Sequence, residues 1–181
     1  GPIHELSQNI INKVQNRFDK DYKPRDDEGI LKRYSDITQV DMSKGNWLVL
    51  SSANYFLDDA KDLCEIQGWY YQFKGRNSIP LKLLMALNNW EAWRKDAQLN
   101  HLEIKNIYEY LGSHVLPGFQ KGKTLHSDTK YLMRDCRAEH GLVTDSVWYE
   151  AFEGLDPMTE TYIRNMRANG EMINKNPRII M

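Results

Sequence analysis

Gly122-Lys123-Thr124 is the first place in this sequence to look for chemistry. A glycine loop closing on Lys and Thr can hold nucleotide phosphates while the hydroxyl binds magnesium. The earlier glycine of such a loop is missing at the required spacing, and no apolar strand precedes the triplet. It reads as an ordinary loop rich in Gly and Lys. No His-Glu-x-x-His, Gly-x-Ser-x-Gly or cysteine cluster occurs. His101, His114, His126 and His140 fall on separate segments without ligand spacing. Cys64 and Cys136 lie in helical patterns with no Cys-x-x-Cys partner, which marks them as buried thiols of a reducing compartment. Ser51 and Ser52 are the nucleophile candidates, and no histidine is near them in sequence. Polar residues suited to binding are better placed. Ser51 to Asn54 and Lys74 to Asn77 each follow a short strand-like run, and ligands of parallel sheets bind beyond the carboxyl ends of the strands.

The elements that would position these residues lie between Trp47 and Arg94. Trp47-Leu48-Val49-Leu50 is too apolar for an exposed hairpin and predicts a strand buried on both faces. Ala60, Leu63, Cys64 and Gln67 recur at helical spacing, and Gly68 stands where a left-handed cap is needed. Trp69 to Phe73 predicts a second strand, and Lys74-Gly75 turns toward another helix. In that helix Ile79, Leu83, Leu84, Leu87, Trp90 and Trp93 form an apolar stripe, with Pro80 in its first turn. Before this unit, Ile3, Leu6, Ile10, Ile11, Val14 and Phe18 mark one face of a helix expected to pack on the sheet. Ile30 to Tyr34 predicts a strand. Arg17, Lys20, Lys23 and Arg25 form a basic cluster interleaved with Asp19, Asp21, Asp26 and Asp27, so their local field largely cancels.

From about residue 97 to 172 the pattern becomes all-helical, with Arg94 to Asn100 as a candidate hinge. Asn100-His101-Leu102-Glu103 has the spacing of a capping box. Gly112 to Ser127 reads as a long loop. Helices are expected from Asp128 to about His140 and from Asp145 to Phe152. The last is the best delimited, with Asp156 as cap, Pro157 at its first position and Gly170 beyond its end.

The chain has 181 residues, enough to bury a core as one large domain or one domain with an insertion. Its net charge of -1, from 24 basic and 25 acidic side chains, excludes an overall electrostatic grip on nucleic acid, so any such site is a local patch. No apolar run approaches the ~20 residues of a membrane span.

Trp47 to Leu50, Asn54, the helix with Asp59 and Leu63, and Gln67-Gly68-Trp69-Tyr70-Tyr71 followed by Gly75 together resemble the second RecA-like domain of UvrD/Rep-type superfamily 1 DNA helicases. In that family a strand ending in Arg-Thr-Asn is followed by a helix, a Gly-aromatic-Tyr strand and a glycine turn. Asn16-Arg17, Lys20, Pro24-Arg25 and Gly29 resemble the link after its fourth motif. Asn176-Pro177-Arg178-Ile179-Ile180 resembles the strand entering its fifth. The resemblance implies an α/β fold: a partial RecA-like parallel sheet with flanking helices over residues 1–96, an inserted all-helical accessory subdomain over 97–172, and a return strand over 173–181. The short insertion suggests a phage-type or reduced bacterial relative.

The resemblance also implies a fragment of an ATP-dependent DNA helicase in the cytoplasm, acting in DNA repair or replication. ATP and magnesium would be bound in the parent protein, whose first motor domain is missing here, and the fragment alone would not hydrolyse ATP. Single-stranded DNA would contact Asn54, which matches the family's Asn, and Ser52, which stands where the family has Arg. Lys74 and Arg76 at the next strand end are the second choice. Two other function classes fit the residues. One is a protein-interaction module with an exposed patch of Trp148, Phe152 and Met158; the other is a small α/β enzyme using Ser51 or Ser52.

Overall fold

A computed structural model of the chain describes residues 1–15, 29–115, 124–173 and 176–181. The basic cluster Arg17, Lys20, Lys23 and Arg25 lies outside the described residues, as do Gly122 and Lys123. Two compact units divide the chain, Gly1–Val40 and Asp41–Met181.

In the first unit, α1 (Pro2–Ile11) has a proline in its first turn and buries none of its residues. The face marked for packing stays exposed at Ile3, Ile10, Ile11 and Val14. The strand expected over Ile30 to Tyr34 does not form. A strand is held by its ladder, and that segment has no pairing partner among the described residues. Asp36 instead starts a short 3₁₀ turn, Ile37–Gln39, by accepting a 2.7 Å hydrogen bond from the Thr38 amide.

The second unit is mixed α/β. Its main sheet holds β1 (Trp47–Leu48), β2 (Tyr71–Phe73), β3 (Arg76–Asn77) and β6 (Ile179–Ile180) in the order β1-β6-β2-β3. The late strand β6 runs parallel to both neighbours, with Ile179 opposite Trp47 on one side and Tyr71 on the other. β2 and β3 are antiparallel, so the sheet is not the wholly parallel one expected. Nor is β1 buried on both faces: Leu48 is 66% exposed and Leu50 79%. Among the described residues β1 is an edge strand paired only with β6, and Leu48 and Leu50 stay exposed to solvent.

The helices follow from their local signals. α2 (Asp58–Gln67) ends at Gly68, whose φ of +70 gives the left-handed cap. A Cβ there would come within 2.4 Å of the Asn165 backbone, so glycine also permits the close crossing of α7 (Pro157–Ala168). Pro80 sits at the cap of α3 (Leu81–Trp93) rather than within its first turn. α3 packs against α4 (His101–Tyr108) and α6 (Trp148–Ala151). Its Trp90 and Trp93 are buried edge to face, 6.2 Å between centroids, and donate to the carbonyls of Ser146 and Tyr131. Asn100 and Glu103 form the expected capping box on α4. Asp156 and Pro157 start α7 as predicted.

The stretch read as all-helical also contains a small antiparallel ladder, β4 (Leu99–Asn100) with β5 (Lys130–Tyr131). Consequently α5 (Met133–Glu139) starts later than expected. Burial of Leu99 and Tyr131 favours the pairing. Among the described residues, no helix is long and apolar enough to cross a membrane.

Candidate nucleic-acid interface

Parallel alignment of β1, β6 and β2 puts their carboxyl ends side by side. The Val49 amide donates to the Ile180 carbonyl at 2.8 Å, the Met181 amide to Gln72 at 2.8 Å and the Lys74 amide to Met181 at 3.1 Å. Residues after Val49 leave the sheet at this rim, and so does the turn after Phe73. Ser52 and Asn54 follow β1, Lys74 and Arg76 lie at the junction of β2 and β3, and all four sequence-predicted residues are exposed. The rim begins at an extended Ala53 that leads into a 3₁₀ turn, Asn54–Leu57, and then into α2. Asn54 does not serve as the helix cap that its type and position allow, because Ala53 is the cap of the 3₁₀ turn and Leu57 the cap of α2.

Lys74 and Gly75 do not turn into a helix. They are the two-residue loop of the β2–β3 hairpin, closed by the pair Phe73 and Arg76. Both have positive φ, +49 and +77. Positive φ at both central residues matches a type I′ turn, which follows the sheet twist and favours Asn-Gly. Lysine at the first position is conformationally costly. Because β3 starts where β2 ends, Arg76 shares the rim with Lys74.

Three cations and three carboxylates shape the field. Lys74 lies 5.3 Å from the Phe73 ring centroid and Lys61 of α2 lies 4.6 Å from it. Lys61 also pairs with Asp58. Asp58 and Asp59 occupy the first turn of α2, where they complement the helix dipole. Asp62, one turn on, is the third carboxylate and is exposed. The field is therefore positive toward Lys74 and Arg76 and negative toward the start of α2.

Two of the histidines and both cysteines are engaged or buried away from Ser51 and Ser52. His114 bonds Glu153 at 3.0 Å and the Glu150 carbonyl at 2.9 Å, and His140 bonds Thr124, so neither activates Ser51 or Ser52. Burial pushes the Cys64 thiol up to about 12 and the Cys136 thiol up to about 11, which keeps both protonated. Tyr71 and Tyr162 are raised chiefly by burial, and their hydroxyls donate to Glu65 and to the Trp69 carbonyl. Among the described residues, no group of three or more His, Cys, Asp or Glu could hold a metal ion.

The interaction patch expected from Trp148, Phe152 and Met158 does not exist as such. Trp148 and Phe152 are core residues, and Phe152 packs edge to face on Trp90 at 6.0 Å. Met158 is exposed, and with Ile66, Pro157 and Tyr162 it lines a groove of about 500 Å³ between α2 and α7.

Two rim residues escaped the sequence reading. Tyr55 and Phe56 are exposed, with ring centroids 4.1 Å apart. By helical spacing Tyr55 falls off the face of Leu57, Ala60, Leu63 and Cys64 but Phe56 falls on it, so spacing alone does not reveal the exposure of Phe56.

Comparison with known proteins finds no matching family model, no matching curated protein and no matching solved structure.

Proposed function

We propose that this chain is part of the second motor domain of an ATP-dependent DNA helicase of the UvrD/Rep type, and that its rim residues hold single-stranded DNA. The observation that supports this reading most is the parallel insertion of Ile179-Ile180 between β1 and β2. A chain that leaves the sheet, builds helices and returns as a middle strand has the connectivity the resemblance implies. On this reading Asn54, Ser52, Lys74 and Arg76 act together at the carboxyl ends of these strands.

On this reading ATP and magnesium are held by the parent's first motor domain, and this chain supplies only DNA contacts and motor surface. Each motor domain of such a machine needs a few polar contacts to the strand that change strength as the cleft opens and closes. An exposed Asn, an exposed Ser and two unburied cations are suited to that role.

Equilibrium binding to a fluorescein-labelled oligo-dT strand at several salt concentrations tests the reading. Weak binding is expected, with a logarithmic salt slope of about -1.4 for two phosphate contacts on a single strand. Lys74→Ala/Arg76→Ala should abolish most of it. Salt-independent binding, or none, would contradict the reading.

A protein-interaction module is the second reading, favoured by the exposed apolar groove between α2 and α7. It expects indifference to DNA and sensitivity to Met158→Glu and Ile66→Glu in partner binding.

A further inference from the structure

We infer that the groove between α2 and α7 receives a basic amphipathic helix of a partner protein, an inference that rests on the second reading above and is independent of DNA binding at the rim. The groove is a trough of about 500 Å³, open along the surface rather than closed around a small molecule. Met158 is 75% exposed and Ile66 69%. With Pro157 beside them, these side chains give the trough an apolar surface that faces water. Its walls are fixed by the fold. The Asn165 side-chain amide donates to the Ile66 carbonyl at 3.0 Å, and Gly68 packs on the Asn165 backbone, so the trough exists before any partner arrives.

Charge selects the partner. Asp62 and Glu65 stand one turn apart on the α2 wall, and the Tyr71 hydroxyl orients Glu65 by donating to it at 2.7 Å. The three cations of the two helices are committed elsewhere: Lys61 pairs with Asp58, Arg164 with Glu160 and Arg167 with Glu91. The α7 wall adds only uncharged side chains. The trough therefore joins apolar surface to two carboxylates, with no cation among its described lining residues. An occupant that carries Lys or Arg beside its apolar residues complements both. An acidic one would meet like charge. Shape selects a helix. Pro157, Thr161 and Asn165 recur every fourth residue on the α7 wall and span about 12 Å, some two helical turns. A helix laid between two others fills such a groove with side chains at i and i+4. Met158 is unbranched and adapts to the side chain it meets.

The test uses the whole chain and two fluorescein-labelled synthetic helical peptides with the same leucine stripe, one flanked by lysines and the other by glutamates. The wild type should bind the lysine peptide about tenfold more tightly, from two partly exposed ion pairs against like-charge repulsion. Added salt should narrow the gap. Asp62→Lys should lose the preference and keep the wild-type melting temperature. Glu139→Lys on α5, which makes the same change in net charge at an exposed residue that does not line the trough, should retain it. Met158→Ser should weaken both peptides alike. Equal binding of the two peptides by the wild type, weakened by Met158→Ser, would overturn the basic partner and leave the groove as a partner surface. A preference that Glu139→Lys removes as fully as Asp62→Lys would overturn it as well. A wild-type dimer in sedimentation that Met158→Ser dissociates would give the groove to a second copy and overturn it too. Binding of neither peptide, or binding that ignores Met158→Ser, would overturn both the inference and the interaction reading.

Discussion

Ile179 pairs in parallel register with Trp47, and it is wholly buried. The pairing makes β6 a middle strand of the sheet, so the residues on either side of the rim depend on it. Ile179→Ala should cost about 3 kcal/mol, the usual loss for truncating a buried isoleucine. The neighbouring Ile180 is part-exposed, and Ile180→Ala should cost less than about 1 kcal/mol. Urea denaturation of both variants checks the contrast. Equal costs would mean that β6 is not held as described.

Arg178 ties Glu171, seven residues before it, to the remote segment of Met42 and Gly45. It pairs with Glu171, which is 3% exposed, and donates to the carbonyls of Gly45 at 2.8 Å and Met42 at 3.3 Å. Arg178→Met takes the guanidinium from a carboxylate almost wholly out of water and removes the donor from both carbonyls. A loss of about 3 kcal/mol is expected, at the lower end for breaking a buried ion pair. A loss below about 1 kcal/mol in urea denaturation would show the pair to be solvated.

Lys74 occupies a turn position that prefers asparagine. Lys74→Asn should raise stability by about 0.5 to 1 kcal/mol, because Asn-Gly fits a type I′ turn. The same change should weaken oligo-dT binding and make its salt slope shallower by about 0.7, one phosphate contact. Thermal melts and salt titrations on one preparation read both effects. A variant with unchanged affinity would remove Lys74 from the interface.

His114 is raised above its ordinary value of 6.5, first by its hydrogen bond to the Glu150 carbonyl and then by Glu153. A raised folded value means that protonation stabilises the fold. The contribution is complete below about pH 6.5 and is lost as pH climbs through the raised value. The stability difference between wild type and His114→Gln should therefore be larger at acidic pH and shrink on the alkaline side. Denaturation midpoints across that interval check it, and a difference that grows with pH would be the wrong sign.

The parts of the fold legible in the sequence are those set by local chemistry. Gly68, the Asn100 and Glu103 box, and Asp156-Pro157 each satisfy or end a helix with neighbouring residues, and each behaves as its type implies. Properties that depend on distant pairing were not legible. Leu48 and Leu50 look buried until β1 proves to be an edge. Lys74-Gly75 becomes a hairpin only because Phe73 meets Arg76. Trp148 and Phe152 join the core through α3, which their own spacing does not reveal. For the candidate site, the residue types at the two strand ends pointed to the rim. The exposure of Tyr55 and Phe56 is not legible in the sequence, because it depends on how the 3₁₀ turn packs on the rest of the fold.

Photocrosslinking of a halogenated single-stranded oligonucleotide to the chain, followed by peptide mapping, measures most directly where DNA lies. Adducts are expected within residues 51–56 and 73–76, and excess unlabelled strand should suppress them. Adducts confined to the groove between α2 and α7, or scattered without suppression, would contradict a DNA-holding rim.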